Sequence, residues 1–140
     1  MGKVNLGRVV LGGLLAGLVV NVSEFVLNMI VLGADMDAAM KALNRPPMDN
    51  QMIACFVVAG FALGIVAVWL YGAIRPRFGP GVKTAVIAAL AVYVLAYVYP
   101  SVFVWAMQLF PQRVMIISLV WGLPEIVIAS IAGAWLYTEG

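Results

Sequence analysis

Four long apolar runs limit what this chain can become more than any other feature. They lie at about 8–33, 51–74, 83–110 and 112–137. A helix crossing a bilayer needs about 20 apolar residues, each rising about 1.5 Å, and every run is that long. The runs are continuous rather than alternating at period two, which excludes a membrane β-barrel. Only 10% of the residues are charged while 65% are hydrophobic, which is too little polarity to clothe a water-facing surface. The expected fold is all-α: a polytopic membrane protein with four transmembrane helices in an antiparallel bundle. No polar stretch is long enough for a soluble domain, so residues 1–140 read as a single membrane domain.

The connections carry their own signals. Between the first two runs lies ADMDAAMKALNRPPMDN, residues 34–50. Asp35 or Asp37 is a candidate cap for a short helix, and Pro46-Pro47 is its expected stop. Met36, Met40 and Leu43 recur at i, i+4 and i+7, the pattern of an amphipathic helix lying on the membrane surface. The segment RPRFGPG (75–81) reads as a turn-rich loop. Pro111 joins the third and fourth runs almost directly and suits a first helical position. Lys3, Arg8, Arg75, Arg77 and Lys83 fall on one side of the membrane, against Lys41, Arg45 and Arg113 on the other. That bias places both termini in the cytoplasm. Lys3 and Arg8 also precede an apolar run, as in a signal peptide. The run continues to Gly33, beyond an h-region of about 7–15 residues, so it is read as a span.

Much chemistry is excluded. There is no histidine, which removes the commonest metal and haem ligand and the usual general base. The one cysteine, Cys55, allows no intrachain disulfide and has no histidine to activate it. The eight methionines show no repeated spacing for a copper site, and GPGVK (79–83) lacks the spacing of a phosphate-cradling loop. A net charge of +2 gives no case for nucleic acid. No cofactor or metal is expected.

What remains is a set of polar residues inside the apolar runs. Gly13, Gly17, Asn21, Glu24 and Asn28 are spaced 4, 4, 3 and 4, one face of a helix; Ser23 points off it and is expected to bond its own backbone. The fourth run offers Ser118, Gly122, Glu125 and Ala129; the third offers Tyr93, Tyr97, Ser101 and Gln108. Gly13-xxx-Gly17, Gly60-xxx-Gly64 and Ala129-xxx-Gly133 are small-residue seams for close helix packing. Pro100 and Pro124 deprive the carbonyls of Ala96 and Val120 of their amide partners, and kinks are expected there. No lysine, arginine or histidine lies midway along any run to neutralise Glu24 or Glu125. An ionised carboxylate at the bilayer centre costs at least about 2.5 kcal/mol. Both carboxyls are therefore expected to hold a proton, a bound cation or a partner group.

The polar first span ending in NMIVLGADMDAAMKAL and the closing span WGLPEIVIASIAGAWLY resemble, in layout, small bacterial four-helix integral membrane proteins with no assigned activity. The resemblance implies a bacterial inner (plasma) membrane and nothing about chemistry. Three function classes follow from the residues. The leading one is a small carrier or ligand-binding protein, a homo-oligomer or a subunit of a membrane complex. Its partners are the lipid bilayer and a small cationic or amphipathic ligand, or protons. Its binding residues are Glu24, Glu125, Asn21, Tyr97, Asn28 and Ser101. The alternative is a non-catalytic structural or assembly subunit with the glutamates as interhelical contacts. An intramembrane lipid-modifying enzyme ranks third, because it needs a water-accessible cleft beside both carboxyls.

Overall fold

A computed structural model describes residues 2–139, and among them every regular element is helical. In chain order these are α1 (Leu6–Phe25), a π-helical segment (Val26–Val31), α2 (Gly33–Ala42), α3 (Asn50–Phe78) and α4 (Val82–Tyr93). A second π segment (Val94–Val98), α5 (Tyr99–Ala106) and α6 (Gln112–Leu136) follow. Four continuous helices are long and apolar enough to cross a membrane: Leu6–Val31, Asn50–Phe78, Val82–Ala106 and Gln112–Leu136. The third is thus α4, the second π segment and α5 in one rod.

Where side chains are small, backbones can touch. Between hydrocarbon-soluble helices this contact, rather than the hydrophobic effect, holds the structure. The largest contact joins α1 to α3. A Cβ added at Gly64 would lie 2.7 Å from Gly17 Cα, and one at Gly17 would lie 2.7 Å from Phe61 Cα. Gly13 lies against Ile65 in the same way, and the Asn21 side chain rests on Gly60. A second seam joins α1 to α6: a Cβ at Gly133 would meet Gly12 O at 2.8 Å and Ala16 Cβ at 3.0 Å. The paired glycines Gly12 and Gly13 therefore serve two neighbours at once. The main core lies beside these seams, with Ala16, Ala67, Val68, Ala85, Ala88 and Ile126 fully buried.

The termini and the Gly79–Gly81 turn share one end, called here the terminal half. Tyr137 Oη accepts from the Asn5 amide at 3.2 Å, and the Tyr71 ring meets Tyr137 edge-on at 5.8 Å. Tyr71 Oη accepts from the Gly81 amide at 3.1 Å. Arg75 lies over the Tyr137 ring and makes a 3.3 Å ion contact with Glu139. The other end, the distal half, has a smaller core of Leu27, Leu32 and Val114 with Met36, Ile117 and Trp121. It is much less closed. None of residues 50–59 is buried, and neither is any residue of Val94–Ala106.

Several local expectations need correction. Residues 75–78 are helical, not loop: α3 runs through Pro76 and stops at Gly79, whose φ of +85° suits glycine. Neither Asp35 nor Asp37 caps α2. The helix starts earlier, at Gly33, with Leu32 in the cap position, so Asp35 falls in the first turn, where a carboxylate still favours the helix dipole. The same helix ends at Ala42, where Asn44 turns left-handed (φ +54°), before Pro46 is reached. Pro111 is the residue before the α6 helix rather than its first. The third span ends at Ala106, because Gln108 adopts φ +54° and its side chain bonds the Trp105 carbonyl. At Pro100 the π segment widens the turn, leaving the proline in the first turn of α5, where a missing amide costs little.

Candidate functional site

The polar cluster forms where α1, the second π segment and α6 meet. On α6, Gly122 gives the Tyr97 ring a flat bed: a Cβ there would lie 2.6 Å from Tyr97 Cδ1. The Tyr93 ring stacks on Tyr97 with centroids 5.5 Å apart, and Tyr93 Oη donates to the Leu119 carbonyl at 2.8 Å. So fixed, Tyr97 Oη donates to Glu125 Oε2 at 2.6 Å. Ser101 Oγ donates back to the Tyr97 carbonyl at 2.6 Å, satisfying backbone next to the proline break.

Glu125 is 4% exposed, and its second oxygen, Oε1, is buried without a hydrogen-bond partner. Its neighbours across the α1 seam are the Glu24 carboxyl and the Ser23 hydroxyl. Glu24 also faces Tyr97. Asn28 Nδ2 donates to Glu24 Oε2 at 2.8 Å and to the Glu24 carbonyl at 2.9 Å. Trp121 Nε1 donates to Ser23 Oγ at 2.9 Å. The result is a polar row, Asn28–Glu24–Glu125–Tyr97, with Ser23 and Trp121 beside it. Two carboxyls stand together, and among the described residues no cationic side chain pairs with them: the ion pairs found there, Arg75–Glu139 and Arg113–Asp35, lie outside the cluster.

The structure sorts the candidate residues. Glu24, Glu125, Tyr97 and Asn28 come together. Asn21 does not join them: its amide donates to the Val57 carbonyl at 3.1 Å, toward α3. Ser101 reaches the row only through the Tyr97 backbone. The single stripe from Gly13 to Asn28 is thus two stripes. Gly13, Gly17 and Asn21 face α3, while Gly12, Ala16, Ser23 and Glu24 face α6. For that reason Ser23 bonds across helices rather than to its own backbone. Ser23 and Trp121 are the residues that the single-stripe view passes over. The signal available was the Gly12-Gly13 pair, since two adjacent glycines permit two close seams, and Gly12, Ala16 and Ser23 then continue the second at helical spacing.

This arrangement has a narrow chemical range. Among the described residues no three metal-ligating His, Cys, Asp or Glu side chains gather. Two surface grooves, about 390 Å³ beside Tyr71, Ala85 and Trp135 and about 220 Å³ beside Ser101, Trp105 and Met115, are lined by neither glutamate. A pair of carboxyls flanked by a phenol, an amide and a hydroxyl can hold a proton between them, or exchange it for one positive charge. No protein-family model, curated protein or solved structure matches the chain.

Proposed function

We propose that the chain is a small membrane carrier or ligand-binding protein whose Glu24–Glu125 pair holds a proton and exchanges it for a cation. The observation that carries this reading is the buried Oε1 of Glu125, without a hydrogen-bond partner and beside a second carboxyl, with no cationic side chain in the cluster among the described residues. A lone charge there is costly, and a shared proton removes the cost. Asn28 and Tyr97 then hold the outer oxygens of the pair, leaving the inner ones to the exchangeable ion.

The setting we propose is one antiparallel bundle in a bacterial plasma membrane, with both termini cytoplasmic and α2 on the opposite surface. Opposed helix directions are supported by the order of contacts, Gly13 with Ile65, Gly17 with Phe61 and Asn21 with Val57. The cytoplasmic placement is supported by five lysines and arginines near the terminal half against three near the distal half. Self-association is supported by the uncovered distal faces of α3 and α5.

The test is proton release from purified protein in weak buffer on adding cations. Glu24→Gln and Glu125→Gln should each abolish release while the protein still elutes as the wild type does. The alternative, a structural subunit with the glutamates as interhelical contacts, predicts the reverse pattern. Gln would then change nothing, and Leu at either position would break assembly.

A further inference from the structure

α3 packs along α1, α4 and α6, yet makes no substantial contact with the π segment Val94–Val98 or with α5. Nothing in residues 50–59 or 94–106 is buried. The second and third spans therefore part in the distal half, after closing tightly in the terminal half. The distal parts of both spans carry uncovered apolar side chains, among them Ile53 and Phe56 on α3 and Val94 and Leu95 on the third span. Glu24 and Tyr97, in the same half, are each only half-buried.

We infer that the carboxyl pair takes a hydrophobic organic cation, which reaches it sideways from the distal leaflet between α3 and the third span. The inference rests on the proton-exchange reading and names its ligand class. Hydrated calcium or magnesium needs about six oxygen ligands or more, and keeps water with it; apolar walls and two carboxyls offer neither. A hydrophobic cation is stabilised by the same walls and requires one negative charge. The exchange balances: the O–H bond of the protonated pair breaks, the proton leaves to water, and the carboxylate pairs with the entering cation. An uncharged amphipath has no means of displacing the proton.

The experiment measures binding and proton release by the full chain in nanodiscs, using tetraphenylphosphonium as probe and sodium, potassium and tetramethylammonium as comparators. Tetraphenylphosphonium should bind and release protons, and the hydrophilic cations should do neither. Glu24→Gln and Glu125→Gln should weaken its binding by about tenfold or more, as loss of a charged partner does. In a second arm, Cys55 on α3 is linked to an introduced Ala96→Cys by flexible bis-maleimides, bridging the parting; both positions are exposed. The bridge should block binding, whereas modification of Cys55 alone with a small maleimide should not. Proton release by sodium but not by tetraphenylphosphonium overturns the ligand class and leaves proton exchange standing. Release by no cation, with both Gln variants unchanged, overturns both. Undiminished binding in the bridged, correctly folded protein overturns the lateral route.

Discussion

The terminal and distal halves use opposite means to hold four helices together. In the terminal half backbones touch through glycine and alanine, and three side-chain hydroxyls there bond backbone: Tyr137 to Asn5, Tyr71 to Gly81 and Thr84 to the Gly79 carbonyl. In the distal half two π segments widen the backbone, few residues of α3 and the third span are buried, and the polar groups meet in one row. Close backbone contact leaves no slack, whereas a row of hydrogen bonds between separated helices can be remade. The contrast separates a scaffold from the part free to rearrange around a ligand.

Overpacking gives the largest break in this contrast. Gly64→Leu would drive a side chain into Gly13 and Gly17 and should cost about 3 kcal/mol or more. Gly33→Ala, whose nearest foreign atom lies 3.9 Å away, should change stability by less than about 0.5 kcal/mol. Unfolding in mixed micelles by sodium dodecyl sulfate titration measures both. Equal losses would mean that the terminal seams are not the tight part of the structure.

Next in size is the carboxyl itself. Glu125→Leu leaves the Tyr97 hydroxyl unpaired and should lose about 1–2 kcal/mol, while Glu125→Gln keeps an acceptor and should lose less than about 1 kcal/mol. The same titration reads the difference. A Leu variant as stable as the Gln variant would show that the Tyr97–Glu125 bond adds nothing to the fold.

Hydrogen exchange tests mobility without a substitution. Amides of Val94–Ala106 should exchange at least about tenfold faster than those of Val82–Tyr93 in the same span. Uniform protection along that span would remove the basis for a mobile distal half.

The two halves were not equally legible in the sequence. Four spans follow from run length alone, because hydrocarbon requires about 20 apolar residues to cross. The seams at Gly13, Gly17, Gly60 and Gly64 follow from spacing. What failed to follow was direction. A stripe at 4, 4, 3 and 4 names a face but not a partner, and α1 has two partners 100° or less apart around its axis, at about 100° per residue. Asn21 therefore went to α3 and Glu24 to α6. The π segments were equally hidden, since a widened turn depends on what packs beside it rather than on any residue type. Pro100 marked the place without specifying the remedy. The helical course of Arg75–Phe78 was obscured because Pro76 sits in a last turn that Tyr137, resting on Gly72, and Gly79 hold from either side.

The smallest expected effect compares two tyrosines that each lose one hydroxyl. Tyr137→Phe removes the acceptor for the Asn5 amide, which begins α1 at the terminal end. That amide can turn to interfacial water, and Phe keeps the ring contacts with Tyr71 and Gly72, so the loss should be about 0.5 kcal/mol. Tyr97→Phe acts between helices at mid-span, where water is scarce, and should cost about 1 kcal/mol. The functional readout divides them further. Tyr97→Phe takes the donor from Glu125 Oε2 and should shift the pH at which cations release protons from the pair. Tyr137→Phe, at the opposite end of the same bundle, should leave that pH unchanged. A matching shift in both variants would mean that the polar row senses general loosening of the bundle, and would make the two halves one mechanical unit rather than a scaffold and a site.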